Sequence, residues 1–103
     1  MEIPKKINIC GIPYDVKLLP DNFTENGNFG EINYVSGTIR INSEASEPLQ
    51  MQTLIHEWIH GTLVLSGFVE ESGNELLVNA LAIAISQTFE LKKIKKSESG
   101  GKA

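Results

Sequence analysis

Ser46-Glu47-Pro48-Leu49-Gln50-Met51-Gln52-Thr53-Leu54-Ile55-His56-Glu57-Trp58-Ile59-His60-Gly61-Thr62-Leu63 is the stretch on which the fold turns. Ser46 can cap a helix, Glu47 and Pro48 suit its first turn, and Met51, Leu54, Ile55, Trp58, Ile59, Thr62 and Leu63 return at helical spacing. This predicts a first long helix running to about Ser66, with Gly67 as its C-terminal stop. Downstream, Ser72-Gly73-Asn74-Glu75 has the form of a capping box that opens a second helix. Leu76, Leu77, Val78, Ala80, Leu81, Ile83, Ala84 and Ile85 make that helix apolar nearly all round, so it is expected to be the most buried element.

Upstream, periodicity changes from helical to alternating. Residues 5–10 and 14–19 are two short strand-like runs around Gly11-Ile12-Pro13, a candidate hairpin, and the alternation implies a buried structural thiol at Cys10. Residues 20–28, with Pro, Asp, Asn and Gly, favour an irregular surface loop. Residues 29–35 and 38–42 are again strand-like, with Ser36-Gly37 as a two-residue hairpin connection. The expected fold class is α+β, with an antiparallel or mixed sheet of three to four strands packed on two long helices. One domain over residues 1–96 and a disordered tail at 97–103 follow.

Composition narrows the function classes. With 41% hydrophobic and 21% charged residues, the 103-residue chain is an ordinary globular one. A net charge of -4 argues against nucleic acid as the main ligand, since backbone binding needs clustered cations. The one basic cluster, Lys92, Lys93, Lys95 and Lys96, suits the negative end of the second helix. A single cysteine forms no internal disulfide and fits a reducing compartment. The N-terminus lacks the apolar core of a secretory signal, and the longest uncharged stretch, 76–89, is shorter than the roughly 20 residues needed to cross a bilayer. A cytoplasmic protein without membrane contact is the expectation.

His56-Glu57-Trp58-Ile59-His60 carries the chemistry. Residues four apart on a helix share a face one turn apart, so both imidazoles can reach a single zinc ion. Glu57 projects about 100° round from His56 and can approach a zinc-bound water as general base. Catalytic zinc normally takes three protein ligands plus water. Of Glu70, Glu71, Glu75 and Glu90, the preferred third ligand is Glu75, at the start of the second helix, with Glu71 as runner-up; Glu75 could instead serve only as the capping-box partner. Tyr34 and Tyr14 are the phenols available to stabilise an oxyanion, and Trp58 is expected in the core or cleft wall.

The stretches Leu54-Ile55-His56-Glu57-Trp58-Ile59-His60-Gly61 and Glu75-Leu76-Leu77-Val78-Asn79-Ala80-Leu81-Ala82 resemble the ImmA/IrrE-like metallopeptidases, including short phage and prophage members. In that family a second helix supplies a glutamate ligand, often with Asn four residues later, and Glu75 and Asn79 match those positions. The resemblance implies a minimal zincin-like fold, bound Zn²⁺ and a protein or peptide substrate. It also extends over residues 30–42, where by analogy residues 38–42 would be a peptide-binding strand edge. Within these 103 residues no DNA-binding or regulatory domain of the kind attached in full-length family members is expected, so a repressor-cleaving role does not transfer directly. Two functions compete: a zinc metallopeptidase that hydrolyses a peptide bond with Glu57 as base, and a non-catalytic, zinc-stabilised phage or prophage interaction module.

Overall fold

A computed structural model describes residues 3–20 and 29–90. The elements are β1 (Lys6–Ile9), β2 (Ile12–Leu19), β3 (Gly30–Asn33), β4 (Thr38–Asn42), α1 (Glu47–Leu65), α2 (Val69–Ser72) and α3 (Glu75–Thr88). The fold is α+β, as the sequence predicts. Its four strands form one mixed sheet in the order β1-β2-β4-β3, antiparallel at β1/β2 and β3/β4 and parallel at β2/β4.

Alternation gives the sheet two unlike faces. Tyr14, Val16, Ile39 and Ile41 point inward, where with Ile9 and Leu54 they form the first apolar cluster. The opposite face is polar, with ion pairs at the register partners Lys6–Asp15 and Glu31–Arg40. Burying Ile9, Ile39, Ile41 and Leu54 completely contributes about 1.5 to 3 kcal/mol per side chain before entropy is counted.

α1 lies across the apolar face and is the central layer. Ser46 caps it, its hydroxyl accepting from the Leu49 amide. At Gly61 an added Cβ would stand 2.9 Å from Ile9 Cδ1 and 3.0 Å from Ile32 Cδ1, so glycine lets the helix seat closely on the sheet. The other side of α1 packs Ile55 and Ile59 against Val78 and Ala82 of α3. Trp58 is partly buried, packs against both clusters and donates its indole N–H to the Asn8 carbonyl at 3.0 Å, which places it at the margin of the core.

Several expectations are corrected. α3 is not the most buried element: it packs on α1 and α2 and on no strand, and only Val78 and Ala82 are buried. Leu76 is 85% exposed, and Leu77, Leu81 and Ile83 are exposed as well. Residues 38–42 are not an edge, because β4 is enclosed by β2 and β3; among the described residues the edge strands are β1 and β3. The first hairpin turns at Cys10 and Gly11, both at positive φ, and Pro13 lies within β2, so Cys10 is exposed on a turn instead of buried in a strand. β3 stops at Asn33, whose side chain accepts from the Val35 and Ser36 amides, giving a connection longer than two residues. Ser72 is not the cap of α3: Asn74 is, through the Leu77 amide, and the 67–72 connection contains the short helix α2. α3 ends at Thr88 with Phe89 extended. Lys92, Lys93, Lys95 and Lys96, the 97–103 tail and residues 21–28 of the expected loop lie outside the described residues. Among the described residues no helix is long and apolar enough to cross a membrane.

Candidate metal centre

A cleft of about 600 Å³ opens between β3, the middle of α1 and the first half of α3, lined among others by Gly30, Tyr34, Thr53, His56, Glu57, His60, Glu75 and Asn79. His56 and His60 sit one turn apart on α1 with ring centroids 4.7 Å apart. Their Nε2 atoms approach to 3.1 Å. Glu75 reaches over from α3, placing Oε1 3.3 Å from His56 Nε2 and Oε2 3.3 Å from His60 Nε2. The structure thus brings together the two histidines and the preferred third ligand. Glu71, the runner-up, is exposed on α2 and lies outside this cluster.

These separations can be tested against a metal. Two donor atoms on a tetrahedral zinc, each about 2.0 to 2.1 Å from the ion, stand about 3.3 to 3.4 Å apart. The ring nitrogens stand 3.1 Å apart and each has a Glu75 oxygen at 3.3 Å, Oε1 for His56 and Oε2 for His60; with one donor atom from each residue the three lie within 4.8 Å of one another, a set that could hold a zinc-sized ion. Neutral imidazole nitrogens and a carboxylate are also the right donor types. The Glu75 side chain is 62% exposed, which leaves the cleft side of the cluster open to solvent and substrate.

Each histidine has a second residue beside it. The Asn79 side chain, one turn after Glu75 on α3, lines the cleft beside the His56 ring and favours its charged form. Ser72 Oγ lies 3.0 Å from His60 Nδ1. Burial, then the neighbouring His60, push the His56 ring below its ordinary pKa of 6.5, against an opposing pull from Glu75 and Asn79. A neutral ring is the form that ligates metal.

Glu57 is 8% exposed on the sheet-facing side of α1. Burial first, and the Glu75 carboxylate second, raise its pKa from 4.5 to about 7. Its surroundings depend on Gly30: a Cβ there would lie 2.6 Å from Thr53 Cγ2, 3.0 Å from the Arg40 carbonyl oxygen and 3.7 Å from Glu57 Cγ. The bare backbone of β3 therefore presses on α1 at the level of the glutamate, narrowing the cleft floor and keeping water from its inner side.

The two tyrosines separate. Tyr14 is 2% exposed in the first core cluster, so it is not an oxyanion donor. Tyr34 follows β3 at the cleft wall, its phenol raised in pKa by burial and then by the Glu57 charge. Sequence reasoning missed Ser72 and Gly30 as parts of the site. Nothing local marks Ser72 as a histidine partner, because its position fits a capping box equally well. Gly30 begins an alternating run, and a glycine inside a strand pattern is a recognised sign of close backbone approach. No family model, curated protein or solved structure matches the chain.

Proposed function

We propose that the chain is a zinc-dependent metallopeptidase of the ImmA/IrrE-like kind, acting in the cytoplasm on a protein or peptide and not on nucleic acid. The observation that carries this reading is the convergence of His56 Nε2, His60 Nε2 and the Glu75 carboxylate at 3.1 to 3.3 Å beside a buried Glu57. The single cysteine and the net charge of -4 support the compartment and the partner class.

Zinc, when bound, supplies Lewis acidity, lowering the pKa of water and polarising a carbonyl. His56, His60 and Glu75 would hold it, with Asn79 and Ser72 orienting the rings. Glu57 takes a proton from the attacking water and returns it to the departing amine, a role suited to a carboxyl with a pKa near 7. Tyr34 is placed to donate to a developing oxyanion from the cleft wall. The β3 backbone, an edge strand of the sheet and a cleft wall, offers an extended substrate a strand to pair with.

Elemental analysis and zinc titration of the purified protein test the reading, with one tight zinc per chain expected. Glu57→Gln should retain the metal and lose about 10²- to 10⁴-fold in peptide hydrolysis, the usual contribution of a positioned base. Undiminished cleavage by that variant would remove Glu57 from the mechanism. A second reading, the non-catalytic zinc-stabilised interaction module, draws on the thin seam between α1 and α3, where a shared metal would reinforce the packing of Val78 and Ala82. Zinc that raises the melting temperature but supports no hydrolysis of a peptide library would favour it.

A further inference from the structure

α2 poses a question that packing does not answer. Phe68 is 52% and Val69 63% exposed, Glu70 and Glu71 are exposed, and Ser72 is the only buried residue of the helix. A four-residue helix with one buried serine adds almost nothing to the core. What it does is set the position of that hydroxyl.

The route to that position is local. Gly67, at φ +93°, ends α1 in a Schellman turn in which the Phe68 amide donates to the Leu63 carbonyl at 2.7 Å and the Gly67 amide to Val64 at 3.1 Å. The chain is thereby reversed over the last turns of α1. Ser72 then reaches back twelve residues to His60, with Oγ 3.0 Å from Nδ1 and 3.5 Å from the His60 carbonyl oxygen. Three residues further on, Glu75 Oε2 meets the other nitrogen of the same ring at 3.3 Å. The junction between α2 and α3 therefore brings one side chain to each nitrogen of one imidazole.

Metal ligation assigns the proton. A ring that offers its Nε2 lone pair to a metal carries its hydrogen on Nδ1, and the Ser72 oxygen, 3.0 Å away, accepts it while its own hydrogen turns to the His60 carbonyl at 3.5 Å. We infer that Ser72 is a positioning residue that holds the His60 ring with Nδ1–H turned to α2 and Nε2 turned to the cleft, and so sets the affinity of the site for zinc. This rests on the metal-centre reading above; the ring geometry comes from Ser72 and α2 themselves.

Metal affinity measured by competition with a chromophoric chelator tests it, together with ¹⁵N imidazole spectra and the melting temperature of metal-free protein. Ser72→Ala is expected to bind zinc about 10- to 100-fold more weakly, the usual cost of losing such a partner. Its metal-free melting temperature should stay near that of the wild type, and the slowly exchanging Nδ1–H signal of zinc-bound His60 should disappear. Ser72→Thr, which keeps the hydroxyl, should restore both affinity and signal. Equal affinity in wild type and Ser72→Ala would overturn the inference while leaving the metal centre standing. So would equal weakening by Ala and Thr, which would make Ser72 a packing residue. A wild-type protein that takes up no zinc would instead remove the metal centre, and the inference with it.

Discussion

α1 and α3 meet at the candidate centre but are held in opposite ways. α1 is enclosed, with the sheet on one side and α3 on the other, although it carries Gln50, Thr53, His56, Glu57 and His60. α3 has no charged residue after Glu75 yet leaves Leu76, Leu77, Leu81 and Ile83 exposed. Burial here follows position in the layer order, not apolar content. The division suits the site: the two rings and the carboxyl proposed as base stand on the fixed layer, while the third donor comes from the outer helix, anchored by the small seam of Val78 and Ala82. A ligand bridging the central helix and the outer one couples occupancy to the docking of α3.

The largest test of this contrast is Leu54→Ala. Leu54 is fully buried between α1 and the sheet, and its truncation should cost about 2 to 5 kcal/mol by urea unfolding of the metal-free protein. A loss under about 1 kcal/mol would mean that α1 is not the keystone layer.

Glu57 supplies the next test, through pH. Between its ordinary value of 4.5 and about 7, folded protein keeps the Glu57 proton that unfolded chain has released. Protons thus favour the folded state, and stability should fall as pH rises through that window, by about 3 kcal/mol for this group. His56 acts in the opposite sense: its lowered pKa makes acid below pH 6.5 unfavourable to folding. The difference between wild type and Glu57→Gln isolates the glutamate. Metal-free Glu57→Gln should be the more stable protein at pH 8 and lose that advantage near pH 5, as read from unfolding curves with chelator present. Parallel curves for the two proteins would show that Glu57 is not buried as described.

Gly30→Ala is the third in size. The new methyl meets Thr53 Cγ2 and the Arg40 carbonyl, and the backbone contact cannot rotate away. Overpacking of this kind costs about 1 to 3 kcal/mol. Because Glu57 Cγ is the next neighbour, the substitution should also shift the pH profile described for Glu57, an effect that a remote destabilising change would not produce.

Much of this was legible in the residues, for reasons that also mark where legibility ends. His56, Glu57 and His60 could be placed because a 3.6-residue period fixes which positions share a face, and Glu75 because an initial helical residue after a short connection has few places to go. Tyr14 could have been removed from the donor list by parity alone, since it alternates in step with Val16 and both point inward. Strand order was not legible: the parallel pairing of β2 with β4 closes over a long connection, and nothing within residues 38–42 marks them as interior. The exposure of α3 was hidden for a simpler reason. Apolar residues report a tolerance for burial, but whether a partner covers them is decided by the count of layers. Ser72 was obscured by a competing local use, and only the backward turn at Gly67 shows which one the chain adopts.

The smallest effect is expected on the outer face of α3, and it closes the comparison. Leu76 is 85% exposed, so little apolar surface is withdrawn from water when the chain folds. Leucine and glutamine have nearly equal helix propensities, and glutamine adds no charge near the positive end of the helix. Leu76→Gln should therefore change unfolding free energy by no more than about 0.5 kcal/mol, the range for surface positions, and leave zinc affinity at the neighbouring Glu75 unaltered. Set beside Leu54→Ala, the same residue type would then span nearly the full range of core-to-surface costs within one small fold. A loss of 2 kcal/mol or more at Leu76 would place this face of α3 against a further surface in solution, and the description of α3 as the outer layer would have to be abandoned.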